Sequence, residues 1–151
     1  MPPTSISRVK LFLRQTLDLA LFEKGFEVWL RRVMVLVCFK TQDGWTQPYE
    51  AIVDTGAPLS ILPVQIWEKI ERKDLHPHEV SGIVPGVSIP VQAAEISACL
   101  MDPTHTTPAF RFKAYLSQEK HIPLILGFDG ILSHSVMHLD AARNQGYLEF
   151  P

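Results

Sequence analysis

From Val33 onward, apolar residues come in short runs broken by Gly, Pro, Asn and Asp, a rhythm that predicts strands joined by tight turns. Residues 33–39 form one continuous apolar run of strand length. The turn signal Thr41-Gln42-Asp43-Gly44 follows, and residues 45–53 read as the next strand. Pro63 suits the first turn of a short helix, in which Val64, Trp67 and Ile70 recur at helical spacing while Glu68, Lys69 and Glu71 face outward; His76-Pro77-His78 ends that unit. Residues 87–91 and 93–101 read as strands broken at Pro90, and Asp102-Pro103-Thr104 as a turn. Residues 110–116 place Phe110, Phe112, Ala114 and Leu116 inward. A buried strand at 122–126, a short helix at 128–133 and a hairpin of 136–139 with 147–150 around Asn144-Gln145-Gly146 complete the pattern. Many short strands without an internal repeat predict an all-β, barrel-like fold with one or two short helices.

Residues 1–32 are less legible. Leu11, Leu17, Leu21 and Phe22 fit one face of an amphipathic helix, yet Val9, Leu11 and Leu13 also fit a strand, and Gly25 interrupts either. This segment is expected to pack on the outside of the barrel. The alternatives are a part in a dimer contact or docking on a lipid surface, against which its mixed charges weigh.

At 151 residues the chain has room for one domain with its own core. A formal net charge of -2 and scattered basic residues give no electrostatic footprint for nucleic acid. Arg8, Lys10, Arg14 and Asp18 interrupt the N-terminal apolar residues, unlike a signal peptide, and no uninterrupted run reaches membrane-spanning length. Cys38 and Cys99 sit inside apolar runs, where cysteine behaves as a small buried hydrophobe; this points to a reducing, cytoplasmic setting. His134 and His138 have the four-residue spacing of metal ligands on a helix, but Val136 and Leu139 suggest strand there and no Cys or Glu completes a set, so no metal and no cofactor are expected.

The chemistry concentrates in Ala51-Ile52-Val53-Asp54-Thr55-Gly56-Ala57, an apolar strand that ends on a carboxylate and a Gly. Gly56 lets backbone pass close to that carboxyl, and Thr55 can stay extended while its hydroxyl bonds a neighbouring strand or chain. The plain reading is a strand-to-turn exit built from good turn formers. The context adds two further segments in order: Ser81-Gly82-Ile83-Val84-Pro85-Gly86-Val87, and Pro123-Leu124-Ile125-Leu126-Gly127-Phe128-Asp129-Gly130-Ile131-Leu132. Together with Ser60-Ile61-Leu62 after the first motif, the three resemble the active-site loop, the flap and the apolar-apolar-Gly strand of retropepsin-like aspartic proteases, over residues 33–151.

That resemblance implies a closed acid-protease barrel, with residues 1–32 as an unassigned N-terminal extension. It implies Asp54 as the catalytic carboxylate, and Thr55, Gly56, Ala57, Gly82, Ile83 and Val84 as residues bordering a polypeptide substrate. Such a site needs two carboxyl groups, and only Asp54 stands in an Asp-Thr-Gly context, so a homodimer with one Asp per subunit is implied. Pro58 and Phe128 stand where many retroviral members have an acid and an Arg, a paired replacement that suits a cellular or bacterial relative better than a viral enzyme. The alternative is a retropepsin-like module that dimerises or binds protein without catalysis.

Overall fold

The alternation of inward and outward residues closes six strands into a barrel, and the rest of the chain is arranged around it. The computed structural model describes residues 6–84 and 87–151, with side chains described outside 76–91. In chain order the elements are β1 (Ser7–Leu17), α1 (Leu19–Glu23), β2 (Trp29–Thr41), β3 (Gly44–Trp45), β4 (Tyr49–Val53) and β5 (Ser60–Leu62). Next come α2 (Val64–Trp67), β6 (Arg72–Val84), β7 (Val87–Met101), β8 (Phe110–Ser117) and β9 (Ile125–Leu126). A 3₁₀ turn (Leu132–His134) leads into β10 (Val136–Asp140) and β11 (Gln145–Phe150). Strand makes up 54% of the residues and helix 9%, so the fold is all-β with two short helices.

The barrel runs β2-β4-β9-β5-β8-β7 and closes where β7 returns to β2. Along β2, Val35, Val37 and Phe39 point inward and are fully buried. They meet Ile96, Ala98 and Leu100 of β7, Phe112, Ala114 and Leu116 of β8, and Leu62 and Leu126. Each large side chain so buried contributes about 1.5–3 kcal/mol, so this interior is what holds the ring shut. At the closing seam Cys38 lies directly opposite Cys99, and both are free thiols. Burial pushes both thiols up from their ordinary range.

Several sequence expectations change in the folded chain. The strand expected over 45–53 is two pieces, β3 and β4, and only the second belongs to the barrel. Pro90 does not break β7: it pairs with Glu79 of β6 on one side but lies one residue beyond the last β7–β8 pair, Val91 with Ser117. A residue without an N–H is tolerated at such a half-paired position. His76-Pro77-His78 falls inside β6, an edge strand, next to a register shift between Asp74 and Pro77. The helix expected at 128–133 is reduced to the 3₁₀ turn, and the strand at 122–126 to the two residues of β9.

Of residues 1–32, expected as an extension outside the barrel, residues 7–17 and 29–32 are joined to it through shared strands. β1 pairs with β2 over one half and with β11 over the other, placing Val9 and Leu11 in the core, and β2 itself runs through position 32. Among the described residues of this segment only α1 is helical. The C-terminal hairpin forms, but its turn is 141–144: Asp140 lies opposite Gln145 and Leu139 opposite Gly146, so Gln145 and Gly146, expected in the turn, belong to β11. Among the described residues no helix is long and apolar enough to cross a membrane.

Candidate active site

Asp54 follows directly on β4, at the point where β4 and its parallel neighbour β9 end together. The last pair is Val53 with Leu126, and the Asp54 N–H donates to the Leu126 carbonyl at 3.0 Å. Ile52 N–H donates likewise to the Leu124 carbonyl at 2.9 Å. The strand therefore delivers Asp54 at a fixed height, and the chain then turns sharply. Gly56 N–H donates to Asp54 Oδ1 at 2.8 Å, and Ala57 N–H to the Asp54 carbonyl at 3.2 Å. The first bond is an Asx-type turn, in which the side chain imitates a backbone acceptor.

A second segment clamps this loop from below. Phe128 N–H donates to the Ala57 carbonyl at 2.9 Å, Asp129 N–H to the Pro58 carbonyl at 3.0 Å, and Gly127 N–H to the fully buried Ser60 Oγ at 3.0 Å. The approach is close enough that a Cβ at Gly127 would lie 2.4 Å from the Ala57 carbonyl oxygen. Position 127 therefore requires Gly for contact reasons. Ser60 and Gly127 are positioning residues that were visible in the sequence only as parts of longer motifs; their contact needs the fold to be seen.

The loop leaves Asp54 half-buried, Thr55 and Gly56 exposed, and Ala57 buried against the body of the molecule. Thr55, Gly56, Ala57, Pro58, Phe128, Asp129 and Ser133 line one shallow groove. Of the expected site residues, Asp54, Thr55, Gly56 and Ala57 are thus brought together. Gly82, Ile83 and Val84 belong to β6 by backbone, but their side chains, like Pro85 and Gly86 of the expected flap, lie outside the described residues.

The carboxylate that lines the groove is Asp129, not Asp54, and its Oδ2 accepts the Lys113 N–H at 2.9 Å and so ties the loop to β8. Pro58 and Phe128, expected to replace an ion pair together, do share this groove, and Phe128 keeps an exposed ring there. A larger cavity of about 950 Å³ lies elsewhere, on the terminal strands between Arg8, Lys10, His138 and Tyr147, and includes no residue of the Asp54 loop.

His134 and His138 do not share a helix face, since His138 lies in β10 and stacks on Tyr147 with ring centroids 4.3 Å apart. Among the described residues no three His, Cys, Asp or Glu side chains gather in a metal-binding group. Comparison with protein-family models finds no match for this chain, and comparison with curated proteins finds none either.

Proposed function

We propose that the chain is one half of a retropepsin-like aspartic endopeptidase, completed by a second copy across a two-fold axis, and working in a cytoplasmic setting without metal or cofactor. The observation that carries this reading is a carboxylate held at the end of two locked strands with, among the described residues, only one of its oxygens engaged, by the Gly56 N–H. The other oxygen of this half-buried carboxylate takes no donor from the described residues, so it is available to share a proton or to meet a water.

In the dimer, a two-fold axis between the loops brings the two Asp54 carboxyls together. Like charges at that distance cannot both ionise, so the pair shares a proton. The ionised member takes a proton from a water, which attacks the peptide carbonyl, while the protonated member donates to the carbonyl oxygen. The exposed Thr55 hydroxyl is available to brace the partner's loop, and Gly56 offers backbone to an extended substrate. Ala57 and the β6–β7 hairpin, with Gly82, Ile83 and Val84, border the polypeptide and favour apolar side chains next to the cut bond.

The test is cleavage of an unfolded protein at mildly acidic pH. Pepstatin-sensitive hydrolysis that Asp54→Asn abolishes supports the reading. Hydrolysis at the wild-type rate by that variant refutes it, and a dimer that cuts nothing favours a silent binding module.

A further inference from the structure

The hairpin of β1 and β2 extends beyond the barrel, at the end where Asp54 leaves the sheet. Register fixes the direction: Phe12, Met34 and Ile52 lie abreast on β1, β2 and β4. β4 stops at Val53, one step further, whereas β1 and β2 stay paired out to Leu17 with Trp29. At about 3.3 Å per residue the ribbon overshoots β4 by roughly 13 Å before its tip begins. Over that stretch it is two-stranded, a form that is marginal in water without a covering surface.

The tip is nonetheless built, not frayed. Asp18 caps α1 by accepting the Leu21 N–H at 3.1 Å, Asp18 N–H reaches the Val28 carbonyl, and Phe26 N–H reaches the Leu21 carbonyl, both at 2.9 Å. At its base Gln15 Nε2 donates to Asn144 Oδ1 at 3.1 Å, which ties the arm to the β10–β11 turn. What this ordered tip presents is apolar: Leu19 is 68% exposed, Phe26 62%, Phe22 54% and Trp29 51%, with Val28 and Leu30 beside them, and α1 buries no residue. A patch of that kind on an ordered element marks an interaction site.

The arm's charge and position indicate the occupant. From Phe12 to Arg32 the acidic residues Asp18, Glu23 and Glu27 stand against Lys24, Arg31 and Arg32, and the remaining cation, Arg14, is paired with Glu50 of β4. An arm for anionic lipid would carry a cationic excess; this one does not. Its position is the stronger argument. It projects past the end of β4 at the same end of the sheet as the Asp54 loop, so a second barrel brought up to that end comes within reach of the arm.

We infer that residues 12–32 are an arm that clasps a second copy of this chain, with Leu19, Phe22, Phe26 and Trp29 packed on the partner protomer beside its Asp54 loop. The inference rests on the two-chain reading of the site for the choice of partner. It adds that assembly depends on a segment which contributes nothing to the catalytic loop itself.

The experiment is sedimentation velocity of the full chain over a range of concentrations, with a Phe22→Glu/Phe26→Glu double variant. The wild type is expected to dimerise, and the variant to need about tenfold higher concentration or more, with an unchanged circular-dichroism spectrum. An unchanged midpoint overturns the inference, as does a wild type that stays monomeric throughout. If the variant does not fold, benzoylphenylalanine in place of Phe26 decides: a cross-linked dimer supports the arm, and purely intramolecular products refute it. Co-sedimentation of the wild type with phosphatidylcholine vesicles in place of dimerisation also refutes it. The two readings fail separately. A dimer that the tip variant weakens but that hydrolyses nothing leaves the arm standing and removes the protease; cleavage that survives the tip variant at all dilutions does the reverse.

Discussion

Two aspartates in this chain begin turns of nearly the same kind, and the fold treats them oppositely. Asp102 ends β7 as Asp54 ends β4, and each accepts a backbone N–H from two residues on, Thr104 in one case and Gly56 in the other, both at 2.8 Å. There the likeness stops. Asp102 is 5% exposed, and its Oδ1 also takes the Thr104 hydroxyl at 2.9 Å and the His105 N–H at 2.8 Å, while its Oδ2 takes the Lys10 N–H at 2.7 Å. Burial by itself would raise this carboxyl, but those donors outweigh it and hold it at about 2. Asp102 is therefore spent on structure, fastening β1 to the β7–β8 turn. Asp54 has one donor and a groove beside its loop. The two turns share their chemistry and differ in how far the carboxylate oxygens are occupied, and the role proposed for Asp54 requires that difference.

The comparison can be broken in three ways. The largest effect is expected from Asp54→Asn, which should cut hydrolysis by about 10⁴-fold or more while leaving the melting temperature where it was. A large loss of stability in that variant would mean that Asp54, too, is structural. Next, Asp102→Ala should cost about 2–3 kcal/mol in chemical denaturation, because it orphans several donors at once.

The acid limb sharpens this second case. Asp102's folded value, about 2, lies below its ordinary 3.8, so its stabilisation, about 2 kcal/mol, is complete above the higher value and drains away as pH falls toward the lower. Stability measured between pH 5 and pH 2 should lose that part of its slope in Asp102→Asn. An identical slope in wild type and variant would show that Asp102 is not the group responsible. The smallest effect separates the two threonines. Thr104→Val should lower stability by about 1 kcal/mol, whereas Thr55→Val should leave the protomer within about 0.5 kcal/mol and act instead on dimer affinity. Equal protomer effects would erase the distinction.

Much of the barrel was legible because its signals are local. Val35, Val37 and Phe39 alternate, Phe112, Ala114 and Leu116 alternate, and turn residues mark the ends, so strand period and punctuation could be read directly. The strand-to-turn exit at Asp54-Thr55-Gly56 was legible for the same reason. What escaped depends on partners far away in sequence. Whether Pro90 breaks a strand is decided by where β8 stops, and whether Leu11 lies in a helix or a strand is decided by β11, more than a hundred residues on. Phe22 reads, with Leu11, Leu17 and Leu21, as part of a face packed on the barrel; the register of β1, β2 and β4 shows it standing clear of the barrel, with Leu19 and Phe26 exposed beside it. Asp102 looked like an ordinary turn residue because the Lys10 donor comes from the other end of the chain.

The claim that one chain supplies half a site is tested most directly by mixing. Wild type and Asp54→Asn should be combined in equal amounts, allowed to exchange subunits, and assayed at fixed total protein. If each site draws one carboxylate from each protomer, only pairs of wild-type chains cut, and activity should fall to about one quarter of the undiluted wild type. Activity of about one half, the share expected when each chain works alone, would contradict it.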